Sequence, residues 1–189
     1  MKQETRKEEI VRVAAKLFKE KGYSAVSMRD LASAMGMRAA SLYNHINSKQ
    51  DILKEIIISI AELFTKGMNE ILASDRSNIE KLKHIIELHV TISSQNANGM
   101  ASLNNDWMHL EDQLVYYMEL RHNYEDNFRA ILKNGIESNE IRGSKPEIML
   151  FSMLSTLRSL YLWIPKKEDL NPKELSATLN EILINGISK

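Results

Sequence analysis

The 189-residue chain has no cysteine. That absence excludes disulfides, thiol catalysis and thiolate metal sites, and it fits a reducing compartment. No apolar run approaches the roughly 20 residues that span a bilayer. The first ten residues, MKQETRKEEI, are charged where a signal peptide would be apolar. A cytoplasmic protein with no membrane partner is expected. Nucleophile elbows, glycine-rich phosphate loops and paired-carboxylate motifs are missing, so an enzyme has no candidate catalytic residue. The histidines offer no metal site either. His84 and His89 are five apart, off a shared helical face, and His109 and His122 have no convincing HxxxH or HxxE partner nearby. No metal and no cofactor are therefore expected. Strand-like alternation, internal repeats and low-complexity tracts are also lacking.

What remains is ordinary globular material, 43% hydrophobic and 26% charged. The formal net charge of zero hides a split: residues 1–55 carry 11 basic and 7 acidic side chains, net +4, against 14 and 18, net −4, in the rest. A basic head gains the counterion-release contribution to phosphate binding, and an acidic remainder avoids lying on DNA. The apolar spacing predicts an all-α fold of about nine helices. Ile10, Val13, Ala14, Leu17 and Phe18 define the first, which Gly22 ends. Ser48 starts a long helix striped by Leu53, Ile56, Ile57, Ile60, Leu63, Phe64, Met68 and Ile71, up to a loop at 73–78. A helix buried on several faces follows, then a loop at 93–99, a short helix at 100–109 and a long one from Asp112 to about Ser138. Pro146 and Pro172 mark first-turn positions of the last two helices.

The densest signal lies near the N-terminus. Ser27 with Asp30 three positions on is a helix-start pattern, Gly36 a turn, and residues 36–53 (GMRAASLYNHINSKQDIL) a second helix running on to the long connecting one. Helix, turn and helix make a helix-turn-helix, whose second member lies in a DNA major groove. Residues 8–54 resemble the N-terminal domain of the TetR family of one-component regulators through Gly22-Tyr23, SMRDLA at 27–32, Gly36 and LYNHINSKQDI at 42–52. Two positions depart from the family pattern. Arg38 stands where a Ser or Thr is usual and Ala39 where a basic residue is common, so the recognition helix lacks its hydroxyl cap; Ile46 replaces a common Phe, a tolerable volume change. The resemblance implies a three-helix DNA-binding domain at 1–50 and a helical ligand-binding and dimerisation domain at 51–189. It implies phosphate contacts from Tyr43 and His45, with Lys49 close to the same backbone. Ser27 and Arg29 are further candidates, although capping and local ion pairing also explain them. Arg38, Ala39, Ser41 and Leu42 are the candidate base readers, Arg38 bidentate to a guanine and Ala39 against a thymine methyl.

Residues 148–164 (IMLFSMLSTLRSLYLWI) are apolar nearly all round, and Leu175, Leu179, Ile182, Leu183 and Gly186 stripe one face of the final helix. By analogy with the family, residues 146–164 and 172–187 would pair with their symmetry mates in a twofold homodimer, which a palindromic double-stranded DNA operator also requires. Arg158, alone in that apolar helix, needs a carboxylate or an anionic ligand, or a place at an exposed edge. The segment from Trp107 to Ile187 resembles the ligand domain of TetR-family repressors of fatty-acid, phenylacetate and steroid breakdown, through LYLWIP at 160–165 and NPKEL at 171–175. That resemblance implies an amphiphilic effector such as an acyl-CoA, taken by Leu103, Trp107, Tyr124, Phe128, Leu154 and Arg158, although such residues are also ordinary core. The expected function is a repressor released from its operator by that effector. An all-helical protein-interaction adaptor, or an enzyme without a recognisable catalytic motif, is the alternative.

Overall fold

A computed structural model of the protein describes residues 4–167 and 170–185. Ten α-helical segments follow one another: α1 (Arg6–Lys21), α2 (Met28–Ala34), α3 (Ala39–Tyr43), α4 (Lys49–Leu72), α5 (Asn78–Gln95), α6 (Ala97–Asn105), α7 (Leu114–Glu137), α8 (Pro146–Arg158), α9 (Leu160–Trp163) and α10 (Pro172–Asn185). Single 3-10 turns stand at Trp107–His109, Glu111–Gln113 and Ile164–Lys166. Since α9 is one turn that resumes α8 after Ser159, the described residues hold nine helices and the fold is all-α. Glu168 and Asp169 of the last connection, and Gly186 and Ile187 of the expected final helix, lie outside the described residues.

The chain gathers into two compact units. Among the described residues, one holds 4–61 and 98–117 and the other 62–97, 118–167 and 170–185, so α4 and α7 each contribute to both. In the first unit, α1 opens on a capping box in which Thr5 and Glu8 satisfy each other's backbone N–H groups. It closes at Gly22, whose φ of 83° only glycine adopts cheaply and whose N–H reaches the Phe18 carbonyl at 2.8 Å. Ile10, Ala14 and Phe18 from α1, Leu31 from α2, Leu42 from α3 and Ile52, Leu53 and Ile57 from α4 meet in its core. Gly99 lets α6 lie against α4: a Cβ there would stand 2.6 Å from Ile60 Cδ1.

In the second unit α5 is the central element, and it packs against α8, α9 and α10. Leu82, Ile85, Ile86 and Val90 are wholly enclosed, as expected of a helix apolar on several faces. Its first turn is capped twice. Ser77 and Glu80 form a capping box, while Glu140, from beyond α7, accepts from Asn78 Nδ2 at 2.8 Å and from the Ile79 N–H at 3.2 Å. Burial works to raise the Glu140 pKa, but these hydrogen bonds and that from Ser138 prevail and lower it.

Two expectations are corrected. The polar stretch 93–99 is not a loop: α5 runs to Gln95 and α6 begins at Ala97, leaving Asn96 as the single break, with Ser93 and Gly99 buried. Ser, Gln and Asn read as loop residues locally, but packing of the helix overrides that preference. The second concerns length of apolar chain. Pro146–Lys166 does have the length and composition of a membrane span. It is nonetheless broken at Ser159 and two-sided, with Met149, Leu150, Met153, Leu154, Leu157, Leu160 and Tyr161 buried and Ile148, Phe151, Leu162 and Trp163 exposed.

Candidate functional site

The start of α2 is set by reciprocal bonds. The Ser27 hydroxyl accepts from the Asp30 N–H at 3.2 Å, and the Asp30 carboxylate accepts from the Ser27 N–H at 2.8 Å. Hydrogen bonding from the Ser27 hydroxyl, then from its backbone, holds the Asp30 pKa below the ordinary carboxylate value. Ser27 is therefore engaged as a cap, while Arg29 beside it is exposed. Gly36, at φ 62°, turns the chain into α3. That helix begins at Arg38 with no side-chain cap, in keeping with the missing hydroxyl.

The two sides of α3 and the turn after it differ sharply. Leu42 is 0% exposed and Ile46 is buried, which anchors the helix on the core of the head. Leu42 is thereby removed from the base-reading set, because a wholly enclosed side chain cannot touch a base edge. Ala39 and Ser41 are half-buried, and Arg38, Tyr43 (52% exposed) and His45 stand in the open. Ala40 and Asn44, not singled out from the sequence, are exposed as well. Their i, i+4 spacing was the available signal.

Lys49 takes an unexpected position. Its ammonium donates to the carbonyls of Tyr23 at 2.9 Å and Val26 at 2.8 Å, and lies 4.3 Å from the centre of the Tyr23 ring. Two of its three donors thus tie the first turn of α4 to the loop between α1 and α2. The neighbouring Gln50 bridges further: it accepts from the Tyr23 hydroxyl at 2.7 Å and donates to the His109 carbonyl at 2.5 Å. His109 also packs its ring 5.2 Å from that of Tyr23. The turn at Trp107–His109 is hence bonded directly to the head. Two of the expected effector residues sit in this segment: Trp107 stacks on Tyr117, whose hydroxyl donates to the Leu103 carbonyl. So α4 is not alone in connecting the expected effector residues to the head.

The other four expected effector residues belong to the second unit. Phe128 and Leu154 are core, and Tyr124 is buried with its hydroxyl 2.9 Å from His89 Nε2. Phe64 completes an aromatic trio, 4.6 Å from the His89 ring and 5.7 Å from that of Tyr124. Arg158 has the carboxylate its position demanded: it donates to Glu125 at 2.5 Å, and Arg121 donates to the same carboxylate at 3.2 Å. Burial would raise the Glu125 pKa, but Arg158, and then Arg121, hold it below the ordinary value. Removal from water, reinforced by the Arg158 charge, pushes His89 down to about 3, so its imidazole is neutral at physiological pH. Burial raises the Tyr124 pKa, keeping the phenol protonated. A groove of about 360 Å³ between α5 and α10, lined by Glu87, Thr91, Lys173, Ser176 and Asn180 among others, contains none of the expected effector residues.

A helix-turn-helix head with an exposed recognition face, followed by a helical body, defines a one-component transcription regulator. The chain belongs to the TetR family: residues 10–56 match the bacterial regulatory proteins of the tetR family, and residues 75–187 match the tetracyclin repressor-like C-terminal domain. It is a DNA-binding regulator and not an enzyme. Over 151 residues, 79% of this chain and 74% of the relative, it is 27% identical to the HTH-type transcriptional repressor KstR2 of Rhodococcus jostii strain RHA1. The structure of the ketosteroid transcriptional regulator KstR2 of Mycobacterium tuberculosis matches with a TM-score of 0.92 at 20% identity, over 100% of this chain and 97% of that one. AibR in complex with isovaleryl coenzyme A and operator DNA matches with a TM-score of 0.77 at 20% identity, over 95% of this chain and 98% of that one.

The Lys49 geometry yields a test. Lys49→Ala is expected to destabilise the free protein by about 1.5 to 3 kcal/mol, the range for a hydrogen bond to a charged group. Tyr43→Ala, which removes an exposed ring, should leave stability within about 0.5 kcal/mol of the parent. Urea denaturation of both variants without DNA measures the difference; equal midpoints would remove the clamp.

Proposed function

We propose that the protein is a cytoplasmic repressor that binds a twofold operator as a homodimer and leaves it when an amphiphilic effector binds. The observation that carries the DNA-binding part is the division of α3 and its following turn into an inner side, Leu42 and Ile46, and an open outer side, Arg38, Ala40, Tyr43, Asn44 and His45. Residues 1–50 act as the reading head and 51–189 as the ligand-binding and dimerisation body. Tyr43 and His45 contact phosphates, and the exposed Arg29 is a further phosphate contact. Arg38, Ala39 and Ser41 reach bases, and Asn44 joins them as a side chain able to pair with adenine. Ser27 and Lys49 serve the head by holding α2 and α4 in place, and the remaining donor of Lys49 is available to a phosphate.

Dimerisation is supported by the outer side of the last helices. Ile148, Phe151, Leu162 and Trp163 recur at helical spacing along α8 and α9, joined by the small hydroxyl residues Ser152, Ser155 and Thr156, and Ile182 is exposed on α10. Such an apolar stripe, rimmed by polar residues, marks a protein interface. The effector reading is supported by the fold shared with a regulator that holds isovaleryl coenzyme A. Leu103, Trp107, Tyr124, Phe128, Leu154 and Arg158 remain its proposed contacts. An anionic effector would meet Arg158 already paired with Glu125 and must compete for it.

Tyr43→Ala should weaken binding uniformly across DNA sequences. Arg38→Ala should relax preference at one or two positions, costing roughly 1 to 3 kcal/mol there. Footprints and affinities on an operator and its point variants check both, and wild-type behaviour of the two variants would refute the interface. Phe151→Glu is expected to give a folded monomer with little operator affinity, because Phe151 is 74% exposed in the single chain and its loss leaves no cavity there. Sedimentation of parent and variant at micromolar concentration decides; a dimeric variant would place the interface elsewhere. Acyl-CoA thioesters should release the operator with a coupling of roughly 1 to 3 kcal/mol, a 5- to 150-fold loss of affinity. Titration across chain lengths into the operator complex measures it, and no release at any length removes acyl-CoA as effector.

A further inference from the structure

One buried polar pair in the second unit keeps hydrogen-bonding atoms that the fold described above does not satisfy. His89 is 3% exposed and Ser93 wholly buried, yet His89 Nδ1 and the Ser93 hydroxyl have no hydrogen-bond partner among the described residues. Four residues apart on α5, they share one helical face. Among the described residues the Ser94 and Ser102 hydroxyls are buried without such a bond as well, but neither shares the face of His89, whereas three other helical hydroxyls bond a carbonyl on the preceding turn. Ser59 reaches Ile56, Thr156 reaches Ser152 and Ser159 reaches Ser155. An unsatisfied buried donor or acceptor costs about 1 to 3 kcal/mol. Two on one face of the central helix point to a partner supplied from outside the protein.

The polarity of that partner follows from the other ring nitrogen. The Tyr124 phenol stays protonated, and its oxygen lies 2.9 Å from His89 Nε2. If Nε2 accepts the phenol proton, both groups are satisfied and the neutral ring carries its hydrogen on Nδ1. The opposite tautomer would leave the phenol hydrogen and the Nδ1 lone pair both unmet. The ring therefore offers an N–H donor, and the Ser93 hydroxyl one turn away a second. Two donors on one helix face, on an element otherwise lined by Leu82, Ile85, Ile86 and Val90, suit a single acceptor oxygen carried by an apolar body.

We propose that His89 and Ser93 form the recognition point for the carbonyl oxygen of an acyl thioester effector, with Tyr124 fixing the histidine tautomer. This rests on the acyl-CoA reading and adds the residues that distinguish the acyl carbonyl from the alkyl chain. Tyr124 is a positioning residue in this arrangement, and enclosure, with the Arg158 charge added to it, keeps the imidazole neutral.

Straight-chain acyl-CoA thioesters and their S-alkyl-CoA thioethers, which lack only the carbonyl oxygen, form matched probe pairs. Calorimetric titration of the full chain should show the thioester binding roughly tenfold or more tightly than its thioether. Ser93→Ala and His89→Leu should reduce that preference towards unity. Equal binding of thioester and thioether by the parent protein overturns the carbonyl site and leaves the effector reading intact. Failure of every pair to bind overturns both. Nitrogen-15 NMR of the free protein gives an independent reading that does not require a folded His89→Leu. The Nδ1–H tautomer at neutral pH is expected, with Tyr124→Phe shifting it towards Nε2–H; an imidazolium or an Nε2–H tautomer in the parent overturns the proposal.

Discussion

The head depends on one ammonium group. Lys49 begins α4, and its two carbonyl partners lie in the six-residue connection that runs from Gly22 to the Ser27 cap. The backbone oxygens of Tyr23 and Val26 receive a charge-assisted donor, and the connection is drawn to a fixed place on the long helix. The Tyr23 ring, edge-on to Phe18 and below the ammonium, couples that anchor to the core of α1. Three short helices bury little surface, and a unit of that size keeps a defined geometry only with extra ties. The Lys49 clamp supplies one at the corner where α2 begins.

Charge in the body is managed differently. Arg158 enters a largely apolar helix, and its cost is met by Glu125, which Arg121 also approaches. That arrangement leaves a positive centre near His89 and Tyr124, and both stay uncharged because each is enclosed. The body thus combines a half-buried paired ionic group with enclosed neutral hydrogen-bonding groups, and the latter avoid the desolvation cost of a buried ion. A pH change in the physiological range leaves His89 neutral, so this interior does not act as a proton sensor.

Features governed by local chemistry were legible in the sequence. The Ser27 and Asp30 box, the Ser48 cap with its bond from the Asp51 N–H, the φ of Gly22 and the first-turn prolines at 146 and 172 each rest on residues within a few positions of one another. Lys49 escaped that reading because its acceptors are backbone atoms 26 and 23 residues away, which no side-chain pattern encodes. Leu42 was misplaced for another reason. A helix of five residues spans less than two turns, so its apolar period cannot separate the inner from the outer side. The union of α5 and α6 across Asn96 was hidden by polar residues that prefer loops when isolated and that tertiary packing holds in helical form.

The uncapped, five-residue α3 has an evolutionary corollary. Its attachment to the molecule is carried inward, by Leu42 and the adjoining Ile46, and its outer side chains have no comparable part in holding it there. Substitutions on that outer side are consequently nearly free of folding constraint, and on the proposed reading of α3, drift at Arg38, Ala40 or Asn44 would alter which DNA is read before it threatens the scaffold. Lineages built this way would keep superposable backbones while that surface drifts, and the fold itself is retained with a TM-score of 0.92 at 20% identity. Repertoires of binding sites can therefore diversify on an architecture that stays still.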